Sequence, residues 1–221
     1  MGYHVVVDLE MCRVIGRSHK YPHSHEIIQI GAALLDDSYE VIDRFMSYVK
    51  PVFGRIDSFI YQMTGISGRE VREAPSLEEA LKDFAEWLPE KNVQAVSWSD
   101  TDEKQIRKEM SLKGIQNDRI HALLNCWLDC QPMFSKIMGE GRRYSLEEAL
   151  IASDIFTEGR AHDGLVDASN TALLFAKMKT EKDYALNPYY DKAHREEYSK
   201  PLSVSMGDLF AQLKFPLVAT A

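Results

Sequence analysis

Residues 3–10, YHVVVDLE, constrain the fold of this chain more than any other stretch. The run is rich in β-branched residues and apolar on both faces until its end, the pattern of a strand buried on two sides. Side chains alternate along a strand, so His4, Val6, Asp8 and Glu10 share one face. Two carboxylates at i and i+2 at the end of a buried strand are costly unless positive charge lies between them. Two readings fit the pair: a divalent metal site, or a strand end emerging into solvent.

The segments that follow alternate in character. Glu26–Leu35 (EIIQIGAALL) is a second apolar strand, Asp36-Asp37-Ser38 a turn, and Val41–Val49 a third strand, which makes an antiparallel meander. Ile56–Gly68 carries two short helical pieces around Met63-Thr64-Gly65-Ile66. Ser76 with Glu79 forms a capping box, and Leu77, Ala80, Leu81, Phe84, Ala85 and Leu88 then give an amphipathic helix within 75–88. Val93–Ser97 is a short strand that leads into Asp100-Thr101-Asp102, and a helix begins there with Ile106 and Met110 on one stripe. Asp102 thus falls at the carboxyl end of a strand, where ligands gather in α/β proteins. Capping that helix is the other role open to Asp100 and Asp102. Asn125–Cys130 reads as a fifth strand, Ser145–Ile151 as a capped helix, and Asp167–Met178 as the helix that closes the domain.

Ahead of that last helix, His162 stands five residues before Asp167, with an Asp163-Gly164 turn between them. Ala168, Ala172, Leu173 and Ala176 recur at helical spacing. A loop imidazole one turn from a helix-borne carboxylate can accept a proton beside a metal ligand.

At 221 residues the chain fits one large domain, or one domain with a tail. Its apolar share of 45% and charged share of 27% are those of a soluble globular protein. No apolar run is long enough to span a bilayer and no leader opens the sequence, so no membrane role is expected. Cys12, Cys126 and Cys130 cannot form a paired framework and are read as reduced thiols of a cytoplasmic protein. The histidines of the Cys12–His25 loop show no ligand spacing. A net charge of −8 counts mildly against a nucleic-acid partner. Bound cations would reverse the local sign, however, and basic residues cluster at Arg107-Lys108, Lys113 and Arg142-Arg143. The last forty residues change character: Tyr184–Tyr198 is rich in tyrosine and charge, and Ser205–Leu213 reads as a short amphipathic helix. This tail is expected to pack over its own domain, with a protein-partner or dimer role as the alternative.

Taken together, strand D-x-E, a strand–loop–helix aspartate, then a loop histidine and a helix aspartate form an ordered set. The set resembles the DEDD superfamily of 3′–5′ exonucleases in its histidine-containing form, DEDDh. Asp8 and Glu10 match the first motif, Asp102 the second, and His162 with Asp167 the H-x-x-x-x-D third. EIIQIGA at 26–32, MTGIS at 63–67 and GRAHDGLVDASNTA at 159–172 also look like family sequence. The resemblance spans residues 3–178 and is nearest to the branch of enhanced-RNAi and histone-mRNA exonucleases and sporulation-inhibitor homologues. Asp102 is preferred to Asp100 because Ile106 supplies the apolar residue that the family usually carries four positions later. Val166 departs from the pattern, since many members have an acidic residue there, but the metal-binding position is the next one, Asp167.

The resemblance implies a ribonuclease H-like α/β fold. Its central mixed sheet of five strands would combine an antiparallel meander of three with two parallel strands, flanked by helices. An exonuclease domain would cover 1–180 and a helical tail 181–221. The implied enzyme is a metal-dependent 3′–5′ exonuclease that releases nucleoside 5′-monophosphates from the 3′ end of single-stranded RNA or DNA. Two Mg²⁺ or Mn²⁺ ions about 3.5–4 Å apart would be held by Asp8, Glu10, Asp102 and Asp167, with His162 taking the proton of the attacking water. Leu9 and Met11 would cradle the terminal nucleotide, and Thr64 and Ile66 would offer an apolar wedge to the last base. A regulatory protein-binding module and a polymerase-associated proofreading subunit are the alternatives on the same fold.

Overall fold

In the computed structural model, which describes residues 2–14, 21–90, 92–139, 141–157 and 159–190, the opening run becomes β1 (Tyr3–Arg13). It is the central strand of a five-stranded sheet. β2 (His25–Leu35) pairs with it antiparallel, and β3 (Val41–Tyr48) pairs antiparallel with β2, as the meander requires. β4 (Val93–Ser97) lies parallel to β1 on its other edge, and β5 (Leu128–Asp129) lies parallel to β4, which gives the order β3-β2-β1-β4-β5. The mixed five-stranded sheet that the family resemblance implies is the one observed.

Alternation along β1 sorts its side chains onto two layers. Val5, Val7 and Leu9 enter the main core with Leu81 and Phe84 of α3 (Leu77–Trp87) and Ile106 and Met110 of α4 (Thr101–Lys113). Ile120 and Leu123 of α5 (Asp118–Leu124) complete that core. Phe84 is fully buried, and burial of such a side chain contributes about 1.5–3 kcal/mol. The opposite face carries His4, whose ring lies 5.4 Å from that of Phe175 on α8 (Gly164–Thr180). This second face is the one that also bears Asp8 and Glu10.

Two glycines let α8 approach that face. A Cβ added at Gly31 would lie 2.1 Å from the carbonyl carbon of Gly164, so the strand and helix backbones are in direct contact. Gly164 N–H donates to Gln29 Oε1 at 2.9 Å, and Asp163 caps the helix by accepting from Leu165 and Val166 N–H. A buried ionic group ties the start of β2 to α4. Lys113 Nζ donates to Glu26 Oε1 at 2.8 Å and to Glu109 Oε2 at 2.7 Å, while Val52, Phe53 and Gly54 N–H all donate to Glu26.

Several boundaries differ from the sequence reading. Asn125–Cys130 is not one strand: only Leu128–Asp129 pairs, because Ile120, Leu123 and Leu124 draw the preceding apolar run into α5, capped by Asn117. α6 (Gln131–Met138) begins directly after β5, with a proline in its first turn, and the sequence reading had no helix there. α8 starts at Gly164 rather than Asp167, since Asp163 rather than a later residue supplies the cap. α1 (Ser58–Thr64) and α7 (Leu146–Ala152) fall where short helices were expected, whereas α2 (Gly68–Glu73), capped by Ser67, lies almost wholly beyond the 56–68 range given for it.

The compact unit runs to Ala185, and Tyr184 closes it by hydrogen bonding Ser153 at 2.6 Å. Beyond it, 188–190 begin a helical turn in which Tyr189 N–H donates to Asn187 Oδ1. The expected helix at Ser205–Leu213 lies outside the described residues. Among the described residues no helix is long and apolar enough to cross a membrane.

Gly31→Ala is expected to lower the free energy of unfolding by about 3 kcal/mol or more, the upper end for an overpacked site, because the contact is backbone on backbone. A urea titration measures it, and an unchanged midpoint would show that the close approach is dispensable.

Candidate active site

The four candidate carboxylates are each placed by a regular element. Asp8 and Glu10 project from β1, with a register shift directly after Glu10 that turns the strand beside the site. Asp102 occupies the first turn of α4, immediately beyond β4, and Asp167 the first turn of α8. A helix N-terminus favours negative charge, so both sites suit a carboxylate. His162 precedes α8 with φ +63°, a left-handed backbone uncommon outside glycine but more frequent for histidine than for most residues.

These elements converge. Ligand atoms of Glu10, His162 and Asp167 all lie within 4.8 Å of one another. His162 N–H donates to Asp167 Oδ2 at 2.9 Å, and Leu9 N–H donates to Asp102 Oδ1 at 3.2 Å, so Asp102 is tied to the backbone between Asp8 and Glu10. Asp8 stands among the others. Burial, and then the charges of Asp102, Glu10 and Asp167, push its carboxyl well above the usual range. Burial and the charges of Asp167, Asp163 and Asp102 raise Glu10 to about 8. Asp102 is raised to about 7 chiefly by burial, against the Leu9 hydrogen bond, and burial likewise raises Asp167 against the His162 N–H. Glu10 and Asp102 are only 6% and 7% exposed, so water cannot relieve the repulsion. The donor set, four carboxylates and an imidazole clustered without a cationic side chain among the strongest neighbours of Asp8, fits divalent cations that prefer oxygen ligands.

A cavity of 660 Å³ opens beside this cluster. Leu9, Glu10 and Met11 form one wall, α4 contributes Thr101, Lys104, Gln105 and Lys108, and α1 contributes Phe59, Ile60 and Met63. Leu9 and Met11, the residues expected to cradle a terminal nucleotide, line this cavity. Thr64 and Ile66 do not line it. Thr64 Oγ1 donates to Ile60 and accepts from Ile66 N–H, and Ile66 is buried against Cys12, Ile28, Ile60 and Val71. Phe59, Ile60 and Met63 are the residues of that segment that line the cavity. Asp100 lines the cavity and pairs with Lys104, whereas Asp102 is buried and accepts from Leu9 N–H beside Asp8 and Glu10.

Sequence reasoning missed two contributors. Asp163 adds a fifth carboxylate whose charge reaches Asp8 and Glu10, although its cap position after His162 was readable. Arg160 donates to the Gln62 carbonyl and lies against Gly65, and so ties the His162 loop to α1. No local pattern announced that contact.

The raised carboxyls have a consequence for stability. Glu10 and Asp102 hold protons in the folded, cation-free protein that an unfolded chain would release near pH 4. Stability from these groups is thus full below the ordinary carboxyl range and is lost as pH rises through about 7 to about 8. In chelator the thermal midpoint is expected to fall from about pH 5 to about pH 8, and added divalent cation is expected to raise it more at the alkaline end. Equal midpoints with and without cation across that range would contradict the site.

The Exonuclease (RNase_T) family model matches residues 5–175. ERI1 exoribonuclease 2 of Homo sapiens is 32% identical over 205 residues, 80% of this chain, although the chain spans only 28% of that relative's length. The 3′-5′ exonuclease Snipper of Drosophila melanogaster is 28% identical, with 69% of this chain and 60% of the relative covered. Among solved structures, the nuclease domain of 3′hExo, a DEDDh family member bound to rAMP, superposes with a TM-score of 0.69 at 21% identity, covering 84% of this chain and 96% of that domain, and thus shares the fold. The chain belongs to the exonuclease family.

Proposed function

We propose that this protein is a 3′–5′ exonuclease that hydrolyses the last phosphodiester bond of single-stranded RNA or DNA and releases a nucleoside 5′-monophosphate. The observation that carries the reading is the convergence of Glu10 on β1 with His162 and Asp167 at the start of α8, beside Asp8 and Asp102, in a chain of the exonuclease family. The relative named an exoribonuclease makes RNA the first substrate to test.

Asp8, Glu10 and Asp167 would hold one divalent ion, and Asp8 with Asp102 a second, Mg²⁺ or Mn²⁺ in each case. Bound there, the ions would activate water and neutralise charge on the attacking and leaving oxygens. The protein's own groups do the rest. Leu9 and Met11 hold the terminal nucleotide against the wall of the 660 Å³ cavity. His162, exposed and held near Asp167 by its own N–H, accepts the proton of the attacking water and passes it to solvent. The new bond joins the water oxygen to phosphorus, and the bond to the 3′ oxygen of the preceding nucleotide breaks. That oxygen takes a proton from solvent and becomes the new 3′ end. Unpaired ends suit such a cavity, since their bases can be splayed without strand separation. The three free thiols support a reducing compartment, the cytoplasm.

A time course on 5′-labelled single strands is expected to give a ladder that shortens from the 3′ end, to stop in chelator, and to resume with Mg²⁺ or Mn²⁺. Asp8→Ala and His162→Ala are each expected to reduce turnover by roughly 10²–10⁴-fold or more, with the circular dichroism spectrum unchanged. Full activity in either purified variant would refute the assignment.

A further inference from the structure

The loop that carries His162, residues 159–163, is fastened at three points. Gly159 (φ +95°) sits against Val166, where an added Cβ would lie 2.9 Å from a Val166 methyl carbon. His162 (φ +63°) donates its N–H to Asp167 Oδ2 at 2.9 Å. Both of these contacts fall on the start of α8. Arg160 lies between them in sequence and reaches the other way. Its guanidinium donates to the Gln62 carbonyl of α1, 98 positions earlier in the chain, and lies against Gly65.

The end of α1 suits such a donor. Carbonyls in the last turn of a helix lack partners within it, and a helix C-terminus favours positive charge. The N–H four residues beyond Gln62, that of Ile66, goes to Thr64 Oγ1 instead, and α1 has no basic residue in its own last turn. Gly65 ends the helix in the left-handed region (φ +78°), and a Cβ there would fall against the guanidinium. Phe59, Ile60 and Met63 of the same helix line the 660 Å³ cavity. One side chain thus connects the wall of that cavity to the loop of His162.

We propose that Arg160 is a positioning residue: by bonding the end of α1 it fixes His162 relative to the cavity, so that the bound nucleotide and the base acting on its phosphate keep one geometry. This inference rests on the exonuclease reading for the role of His162. The imidazole is exposed, so the backbone that carries it governs where it stands. A misplacement of about 1 Å at a reacting group can cost about 10²-fold in rate. The Arg160 contact is itself exposed, and replacing an exposed side chain changes the stability of a fold little. Its removal therefore separates placement of the base from folding.

The test is a double-mutant cycle on a 5′-labelled single strand with Mg²⁺, comparing Arg160→Ala, His162→Ala and the two together. Arg160→Ala is expected to lower kcat roughly tenfold to a hundredfold, with KM within about twofold and the thermal midpoint within about 2 °C of the parent. In the His162→Ala background the same change is expected to cost less than about twofold, because the group it acts through is gone. Arg160→Lys, which keeps a donor for Gln62, is expected to recover most of the parent rate. An unchanged rate, an equal loss in both backgrounds, or a loss confined to KM would overturn the positioning role, the last marking a contact with the strand instead. Hydrogen exchange over 159–167 gives a reading that needs no turnover, and it also decides the case if the His162→Ala rate is too low to measure. Exchange is expected to be faster in Arg160→Ala and to slow again in Arg160→Lys; unchanged exchange would overturn the proposal. Should the parent release no nucleotide while exchange still rises, the exonuclease reading fails and the tie between α1 and the loop stands. Parent-like exchange in an active nuclease overturns the Arg160 proposal alone.

Discussion

Backbone contact between Gly31 and Gly164 sets the distance from α8 to the sheet, and the acidic cluster depends on it. Any side chain at position 31 would meet the helix backbone, so the first turn of α8 could not settle beside Asp8. The Gln29 amide oxygen completes the dock by accepting the Gly164 N–H, and Asp163 caps the turn that follows. Asp167 and His162 inherit their positions from this arrangement. The site is therefore a product of helix–sheet packing as much as of its own residue types.

Two groups of buried carboxylates in the same chain show what the cluster lacks. Burial alone would raise Glu26, yet the Lys113 ammonium and the Val52 and Gly54 N–H groups bring it below the usual carboxylate range. Glu109 shares that lysine and also accepts from Ile27 N–H at 2.7 Å. There the fold satisfies its buried charges internally. Around Asp8 and Glu10 the strongest neighbouring charges are all negative; Asp102 gains the Leu9 N–H, and Asp167 the N–H and the imidazole charge of His162. Such an arrangement is stable in ionised form only with cations supplied from outside the chain. The contrast separates a structural carboxylate network from one poised for metal-dependent chemistry.

Much of this was legible in local sequence because the signals have short periods. Alternation placed Asp8 and Glu10 on one face of β1, and the boxes at Ser76–Glu79 and Ser145–Glu148 marked helix starts where both are observed. The meander of β1, β2 and β3 was readable from their apolar runs and the turn between them, whereas the two parallel strands were implied by the family resemblance. The failures have the opposite character. Ile66 reads as an apolar residue free to meet a base, but it is spent on packing against Cys12 and Ile28, which lie far away in the chain. The Lys113–Glu26 pair joins residues 87 positions apart, and no periodicity encodes it. α5 is a different case: Asn117 with Ile120, Leu123 and Leu124 carried a readable cap and stripe, which the neighbouring apolar run to Cys130 obscured.

Anomalous diffraction from crystals soaked in Mn²⁺ tests the central claim most directly. A manganese peak within bonding distance, about 2.0–2.3 Å, of carboxylate oxygens from Asp8 and at least one of Glu10, Asp102 or Asp167 is the expected result. Manganese bound elsewhere on the molecule, with those four carboxylates left without an ion at saturating concentration, would contradict the account.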